Sequence, residues 1–227
     1  MVDETAAMQE RLMEIFGRLL ATYGHRHWWP AETPFEVIVG AILTQNTAWS
    51  NVEKAIANLA AAGALAPAAL AVLPLAELER LIQPSGYFRQ KAQRLHLFNR
   101  MLMERHGGSL RSLFDAPLER VRERLLEQKG IGPETADSIL LYAGHFPSFV
   151  VDAYTLRIFS RLGILAGAER YPEVRALFMN HLPPDPALFN EYHALIVEHA
   201  KIRCRKRQVR CGGCPLAALC PQRIGGI

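Results

Sequence analysis

The sequence predicts an all-α protein. Apolar residues recur at helical spacing over most of its 227 residues, as they do along residues 4–23. Glycines and prolines separate these segments, and the sequence has no long run of alternating apolar and polar residues typical of a strand. Alanine and leucine dominate the middle of the chain, which favours closely packed helices. These three observations point to helices throughout.

The predicted helices follow one another without a low-complexity linker. Thr33 offers an N-cap and Pro34 a first-turn proline to the second of them. The intervening breaks fall at Gly63, Pro74, residues 84–86, Gly107-Gly108 and Gly130. The predicted helices span residues 4–23, 35–43, 51–62, 67–72, 75–82, 91–105, 117–127, 138–142 and 153–162.

Composition limits the class of protein. Half of the residues are hydrophobic, enough for one compact domain or two small ones that share a cleft. The longest apolar stretches, 37–43 and 59–73, are too short or too broken to span a bilayer. The N-terminus is acidic where a signal peptide would be basic, so we expect a cytoplasmic protein. The net charge of +4 permits a nucleic-acid partner without establishing one.

All four cysteines lie near the C-terminus, at Cys204, Cys211, Cys214 and Cys220. In a cytoplasmic chain such clustering indicates a metal rather than disulfides. Structural zinc usually pairs two C-x2-C knuckles, and only one such pair is present, whereas a cubane cluster tolerates unequal spacings. The spacing therefore favours a [4Fe-4S] cluster, with zinc or four unrelated thiols as the alternatives.

This cysteine ladder resembles the one that closes endonuclease III and its adenine-DNA glycosylase relatives. The resemblance implies a [4Fe-4S] cluster whose intervening loop contacts DNA phosphate. It also implies that Arg205 and Arg207, enclosed between the first two cysteines, bind DNA. A solvated basic tail would explain these charges, but not their position between cysteines that would be cluster ligands. The basic residues of the segment are Arg203, Arg205, Lys206, Arg207 and Arg210.

Residues 128–136, Gln-Lys-Gly-Ile-Gly-Pro-Glu-Thr-Ala, lie between two helical patterns. Two glycines around an apolar residue allow a tight turn whose amides can bind a phosphate without reading sequence. A lone motif of this kind is weak evidence, because any helix-turn-helix can contain it. The segment resembles the helix-hairpin-helix of the same superfamily. That resemblance implies DNA contacts from Lys129, Gly130, Gly132 and Thr135.

Asp152 follows an apolar run and lies 20 positions after Gly132. In the superfamily a V-D motif at this spacing carries an essential aspartate, so the resemblance implies that Asp152 is catalytic. A carboxylate suits the chemistry, because breaking an N-glycosidic bond builds oxocarbenium character on the sugar. Asp152 can also be an N-cap for the helix 153–162, and both roles are compatible.

Bifunctional members of the superfamily place a lysine two residues after the second hairpin glycine, where it forms a Schiff base. Here that position is Glu134, which cannot form an imine. Lys129 lies on the other side of the turn, where a phosphate contact is expected. The resemblance therefore implies a monofunctional glycosylase without efficient AP-lyase activity.

Enzymes that act on a base flip it into a pocket and fill the gap left in the helix. The loop around Gln45 resembles the family loop whose glutamine enters the minor groove, and the loop around Tyr87 resembles the one that inserts a second wedge. Packing is the alternative for Tyr87 and Phe88. Adjacent tryptophans in a loop require core burial or a stacking site.

Trp28-Trp29-Pro30, Leu-Thr-Gln-Asn-Thr at residues 43–47 and Val-Val-Asp-Ala-Tyr at residues 150–154 resemble type III 3-methyladenine DNA glycosylases. That resemblance implies a base pocket formed by Trp28, Trp29 and Trp49. A 3-alkylated purine is positively charged, so indole faces favour it over adenine. The best-known type III enzymes lack the cysteine ladder, which sets this chain apart from them.

We expect a two-lobed helix-hairpin-helix DNA glycosylase fold. A helical barrel would span residues 27–137, and residues 1–26 and 138–227 would form the cluster domain, with its loop at 204–220. The expected partner is double-stranded DNA with a damaged base, bound by a cytoplasmic, nucleoid-associated monomer. The alternatives are a glycosylase for oxidised pyrimidines or mismatched T or U, and a non-catalytic DNA-binding module.

Overall fold

A computed structural model of the chain describes residues 2–26, 28–29 and 31–221. Regular secondary structure within these residues is entirely helical, which confirms the all-α prediction. Across the same residues, no helix is both long enough and apolar enough to cross a membrane. The helices are α1 (Val2–Tyr23), α2 (Pro34–Leu43), α3 (Trp49–Ala61), α4 (Pro67–Val72), α5 (Leu75–Leu81), α6 (Phe88–His106), α7 (Leu110–Phe114), α8 (Leu118–Leu126), α9 (Pro133–Ser138), α10 (Ala153–Arg161), α11 (Tyr171–His181) and α12 (Pro186–Ile202).

Local signals account for several helix ends. The Thr33 side chain accepts a hydrogen bond from the Glu36 amide and caps α2, as predicted. Gly107, at φ 59°, ends α6 in the left-handed conformation that favours glycine. Helix α6 begins at residue 88, three residues earlier than predicted, because Tyr87 takes the left-handed conformation and ends the preceding turn. Helices α7, α11 and α12 lie outside the set predicted from periodicity.

Contacts divide the chain into two compact units, and residues 29–146 form one of them. Its central helix, α2, is buried along Phe35 and 37–43. Helices α3, α6 and α9 pack against it, as does a π-helical turn over Ile139–Ala143 that continues α9. The π turn is buried at every residue. Single π turns within helices are often found at functional sites.

The described residues of 1–28 and 147–227 form the other unit. Helix α12 packs against both α1 and α10. The core of this unit is aromatic. The ring of Phe149 stacks on that of Phe178 at 4.0 Å, and the rings of Phe159, Phe189 and Tyr192 surround them. The Tyr192 hydroxyl donates to the Leu12 carbonyl at 2.8 Å, which joins α12 to α1. The buried rings hold the helix that carries Asp152 against its neighbours.

The unit boundaries fall at residues 28/29 and 146/147, whereas the sequence suggested 26/27 and 137/138. Helix α9 and its π turn form one continuous segment packed on α2, so the chain does not divide within it. The functions predicted for the two domains stay predictions.

Candidate functional site

Asp152 is the N-cap of α10. Its Oδ1 accepts hydrogen bonds from the Thr155 amide at 2.7 Å and from the Thr155 hydroxyl at 3.0 Å. The two residues form a reciprocal capping box. The side chain of Asp152 is 13% exposed, so it is mostly shielded from water. The cap fixes one carboxylate oxygen and leaves Oδ2 available for other partners.

His193 on α12 lies beside that second oxygen. Its Nε2 is 3.4 Å from Oδ2 of Asp152, an ion-pair distance when the imidazole is protonated. Burial raises the pKa of Asp152, but the hydrogen bond and charge of His193, with the two Thr155 hydrogen bonds, lower it further than burial raises it. The net pKa of Asp152 is below the ordinary carboxyl value, so the group is an anion at neutral pH.

The four cysteines lie in the segment that follows α12, and all are half-buried. Burial raises the pKa of Cys214, and the charges of the other three cysteines raise it further. A cation bound by the four sulfurs would offset this repulsion and favour their deprotonated form. Within the described part of the chain, no three His, Cys, Asp or Glu side chains meet as ligands of a single metal ion.

Polar side chains from α10 and α12 hold the cysteine segment. The Arg157 guanidinium donates to the Cys204 carbonyl at 2.8 Å, and Arg161 donates to the Cys204 Sγ at 3.2 Å. The buried His199 ring lies with Nε2 3.8 Å from the Cys214 Sγ, and its Nδ1 is 2.9 Å from the Tyr23 hydroxyl. Helix α10 therefore connects Asp152 at its start with the cysteine segment at its end.

The predicted phosphate-binding arginines differ in their surroundings. The Arg205 guanidinium donates to the Lys201 carbonyl at 2.8 Å, at the end of α12. Arg207 and Lys206 are exposed. The exposed pair is therefore better placed to meet a phosphate than Arg205 is.

The hairpin between α8 and α9 has the predicted turn. Gly130 has φ +90°, and a Cβ there would lie 2.5 Å from the Arg94 Nε, so both its conformation and its neighbour favour glycine. Lys129 and Gly132 are exposed, and Ile131 is buried beneath them. Helix α9 begins with Pro133, which has no N–H, and the Ala136 amide donates to the Gly132 carbonyl at 2.9 Å. Glu134, at the position of the family lysine, is exposed.

Gln45 is joined to this hairpin. Its Nε2 donates to the Gly130 carbonyl at 3.0 Å and to the Thr135 hydroxyl at 2.9 Å, and its Oε1 accepts from Arg94. The Gln45 side chain would have to exchange these bonds to contact DNA. Asn46, the next residue, is exposed and has φ 55°. Gln45 as a DNA contact stays a prediction.

Lys91 joins the loop around Gln45 to the loop around Tyr87, the two loops expected to fill the gap that a flipped base leaves in DNA. Its ammonium is buried and donates to the Leu43 carbonyl at 2.9 Å and to the Ser85 carbonyl at 2.6 Å. Tyr87 lies two residues after Ser85, is 68% exposed and has φ 47°. An exposed ring in the left-handed conformation is held there by the surrounding bonds, since a bulky residue rarely adopts it. Phe88 is half-buried.

Two of the three tryptophans lie together. The ring of Trp29 is edge-on to Trp49 at 5.0 Å and tilted against Tyr142 at 5.0 Å. The Trp29 Nε1 is buried and has no acceptor among the described residues. Trp28 belongs to the other unit, where the Lys201 ammonium lies 5.5 Å from its ring centre. Pro30 lies outside the described residues.

Sequence reasoning missed His193, Asn46 and Tyr142. His193 is 41 positions from Asp152 and belongs to no motif, so no signal in the sequence links the pair. Tyr142 was assigned to a helix without a function, and only the π turn brings it to Trp29. Asn46 could have been found, because asparagine tolerates the left-handed conformation better than most residues.

Comparison with known proteins identifies the family. A family model described as HhH-GPD superfamily base excision DNA repair protein matches residues 39–184. MJ1434 of Methanocaldococcus jannaschii, provisionally named a DNA repair glycosylase, is 46% identical over 93% of this chain and 96% of its own length. The chain therefore belongs to the HhH-GPD superfamily, and it is an endonuclease III-like DNA glycosylase of base excision repair.

Two solved structures agree with this fold. A non-covalent complex of endonuclease III with DNA superposes with a TM-score of 0.81 at 23% identity, over 94% of this chain and 95% of that one. The 3-methyladenine DNA glycosylase MagIII of H. pylori, bound to 1,N6-ethenoadenine, superposes with a TM-score of 0.71 at 29% identity. The second match covers 87% of this chain and 97% of that one.

Proposed function

We propose that this glycosylase is monofunctional and releases alkylated purines, such as 3-methyladenine, from double-stranded DNA. The observation that carries the proposal is the aromatic cluster of Trp29, Trp49 and Tyr142. Electron-rich ring faces favour a cationic 3-alkylated purine over neutral adenine. The likeness to a 3-methyladenine glycosylase that was solved with a modified adenine supports the same substrate class.

The geometry of the cluster limits how a base can bind. The rings contact one another at 5.0 Å, so a flipped base would stack on the outer face of the cluster or displace one ring. Trp49 is half-buried and offers such a face. The buried indole N–H of Trp29 is a donor that a base or an ordered water can satisfy.

Asp152 supplies the charge that the reaction needs. As a shielded anion it stabilises the oxocarbenium character of the sugar while the base leaves, and its Oδ2 orients the attacking water. An alkylated purine is an activated leaving group and needs little acid catalysis. Glu134 provides no amine for a Schiff base, so water attacks and the strand stays intact.

The hairpin and the segment after α12 would grip the DNA backbone. The exposed Lys129, Lys206 and Arg207 provide positive charge. The exposed side chains of Asn46 and Tyr87 are the candidates to fill the gap left by the flipped base.

Cys204, Cys211, Cys214 and Cys220 would hold a [4Fe-4S] cluster. The donor set fits, because a [4Fe-4S] cluster is held by four cysteine sulfurs and this short segment provides four half-buried thiols. The cluster, when bound, supplies the positive charge that offsets four thiolates and holds residues 204–220 folded. Arg157 donates to the backbone of this segment and Arg161 to the Cys204 sulfur, which supports the first of the four cysteines.

The test is base release from methylated duplex DNA by the purified protein, with and without alkali. We expect release of 3-methyladenine and strand breaks only after alkali. Duplexes with an oxidised pyrimidine, a T or U mismatch, or no lesion are the comparison substrates. Release from one of these instead of methylated DNA would overturn the substrate, and breaks without alkali would overturn the monofunctional assignment.

Asp152→Asn is the central variant, since asparagine keeps the cap while it removes the charge. We expect base release to fall by about 100-fold or more, with DNA affinity retained. Asp185→Asn is the matched control, because Asp185 is also an N-cap aspartate and accepts from the Ala187 amide at the start of α12. A fully active Asp152→Asn variant would reject the catalytic role. DNA binding without base release by the wild type would indicate a binding module.

A further inference from the structure

We propose that His193 is the positioning residue that holds the free oxygen of Asp152 in its reactive orientation. The two groups lie on helices that pack together, with Nε2 of His193 3.4 Å from Oδ2. This inference rests on the proposed function, because it assigns a partner to the carboxylate of the same site. It does not depend on which base is released.

The carboxylate oxygens of Asp152 have different partners. Oδ1 receives both hydrogen bonds from Thr155 and is committed to the helix cap. Oδ2 is the oxygen left to stabilise the sugar cation and orient water. A rotation of the carboxylate about its Cβ–Cγ bond would exchange the two oxygens, and a donor beside Oδ2 opposes that rotation.

His193 suits this role because it is itself fixed. It is 7% exposed on the buried face of α12, between Tyr192 and Ala194, which are also buried. Its ring therefore cannot turn away into solvent as a surface histidine would. At 3.4 Å from Oδ2, the positive charge of a protonated imidazole favours the charged form of Asp152 in a site with little water.

His193 acts through Asp152 and needs no contact with the substrate. It differs in this from the general acid of other hydrolases, which must reach the leaving group. Its loss should slow the chemical step while DNA binding stays the same. A residue that only packs would change stability instead, without a matching change in rate.

The experiment compares His193→Leu and His193→Gln with the wild type. Single-turnover base release and DNA affinity are measured for each protein, together with its melting temperature. We expect His193→Leu to slow base release by about 10- to 100-fold while the Kd for DNA changes by less than about threefold. His193→Gln keeps an N–H donor near the position of Nε2 and should recover most of the rate.

His181→Leu is the matched control, since it removes a histidine from α11 in the same unit. It should release the base at the wild-type rate. The inference is overturned if His193→Leu is as fast as the wild type, or if His193→Gln is as slow as His193→Leu at equal melting temperature. A change in Kd with an unchanged rate would also overturn it, because His193 would then act in binding.

Failure of the proposed function gives a different pattern. If Asp152→Asn releases the base at the wild-type rate, Asp152 is not catalytic and the inference about His193 falls with it. If Asp152→Asn is inactive and His193→Leu is fully active, only the inference about His193 falls.

Discussion

The hydroxyl and the backbone amide of Thr155 both donate to the same oxygen of Asp152, at 3.0 Å and 2.7 Å. One carboxylate oxygen is thus part of the helix cap, and the other faces His193. The Asp152 side chain therefore both caps α10 and carries the negative charge. The orientation of that charge depends on the same hydrogen bonds that stabilise the start of the helix.

We expect Thr155→Val to lower the free energy of unfolding by about 1 kcal/mol, because the buried hydroxyl and its hydrogen bond are lost. Base release should slow by about 3- to 10-fold, since Oδ1 keeps only the amide donor. Chemical denaturation and single-turnover kinetics measure the two effects. Thr155→Ser retains the hydroxyl and should be close to wild type. Equal rates for all three proteins would contradict the link between cap and catalysis.

The protein should form no covalent adduct with DNA when borohydride is added during base release. A Schiff base needs an amine, and Glu134 stands where the family lysine would be. Gel electrophoresis of the reaction detects the adduct, and Glu134→Gln should behave like the wild type. An adduct from the wild type that Lys129→Ala abolishes would show that Lys129 is the nucleophile instead.

Trp49→Leu should reduce the release of a cationic alkylated purine by about 10-fold, because an aromatic face that can stack on the base is lost. Trp49→Phe keeps an aromatic face and should lose less. The measurement is the single-turnover rate on methylated duplex DNA. If leucine and phenylalanine at this position give the same rate, stacking on Trp49 does not contribute to base recognition.

The buried Lys91 predicts a pH dependence of stability. Desolvation, followed by the charge of Arg94, lowers the pKa of Lys91 from 10.5 to about 8. The unfolded chain therefore binds more protons than the folded protein between these values, and the free energy of unfolding rises with pH across that interval. The rise from this group should be on the order of 1–3 kcal/mol between about pH 8 and pH 10.

Lys91→Met lacks the titrating group, so its stability should not show this rise, and the exposed Lys54→Met variant should behave like the wild type. Denaturant unfolding across the pH range compares the three proteins. Parallel pH profiles for the wild type and Lys91→Met would mean that Lys91 titrates alike in the folded and unfolded states.

Arg161→Met should speed the loss of iron to a chelator by several-fold. The guanidinium donates both to the Cys204 Sγ and to the Arg205 carbonyl at 2.8 Å, so its removal loosens the first cysteine and the loop behind it. Iron release and the visible absorbance of the cluster are followed after addition of chelator. Arg111→Met, at an exposed arginine of α7, is the control. Equal rates of iron loss would show that Arg161 does not support the cysteine segment.

Much of the fold could be predicted because its signals are local. Helical spacing, a threonine before Pro34 and glycines at the ends of segments all act within a few residues of one another. Helix α12 was missed because it is largely buried, and burial on several sides removes the polar face that identifies an amphipathic helix. The left-handed Tyr87 that starts α6 was missed for another reason: neighbouring hydrogen bonds, not its own preference, hold it there.

The sequence by itself determined the all-α class and the superfamily, because periodicity and motif spacing are properties of the chain before it folds. It also identified Asp152 and the four cysteines as candidates, since each lies in a recognisable motif. Only the tertiary structure decided their surroundings. His193 beside Asp152, Tyr142 beside Trp29 and the bonds of Gln45 to the hairpin join residues distant in the chain, and such contacts form only when helices pack.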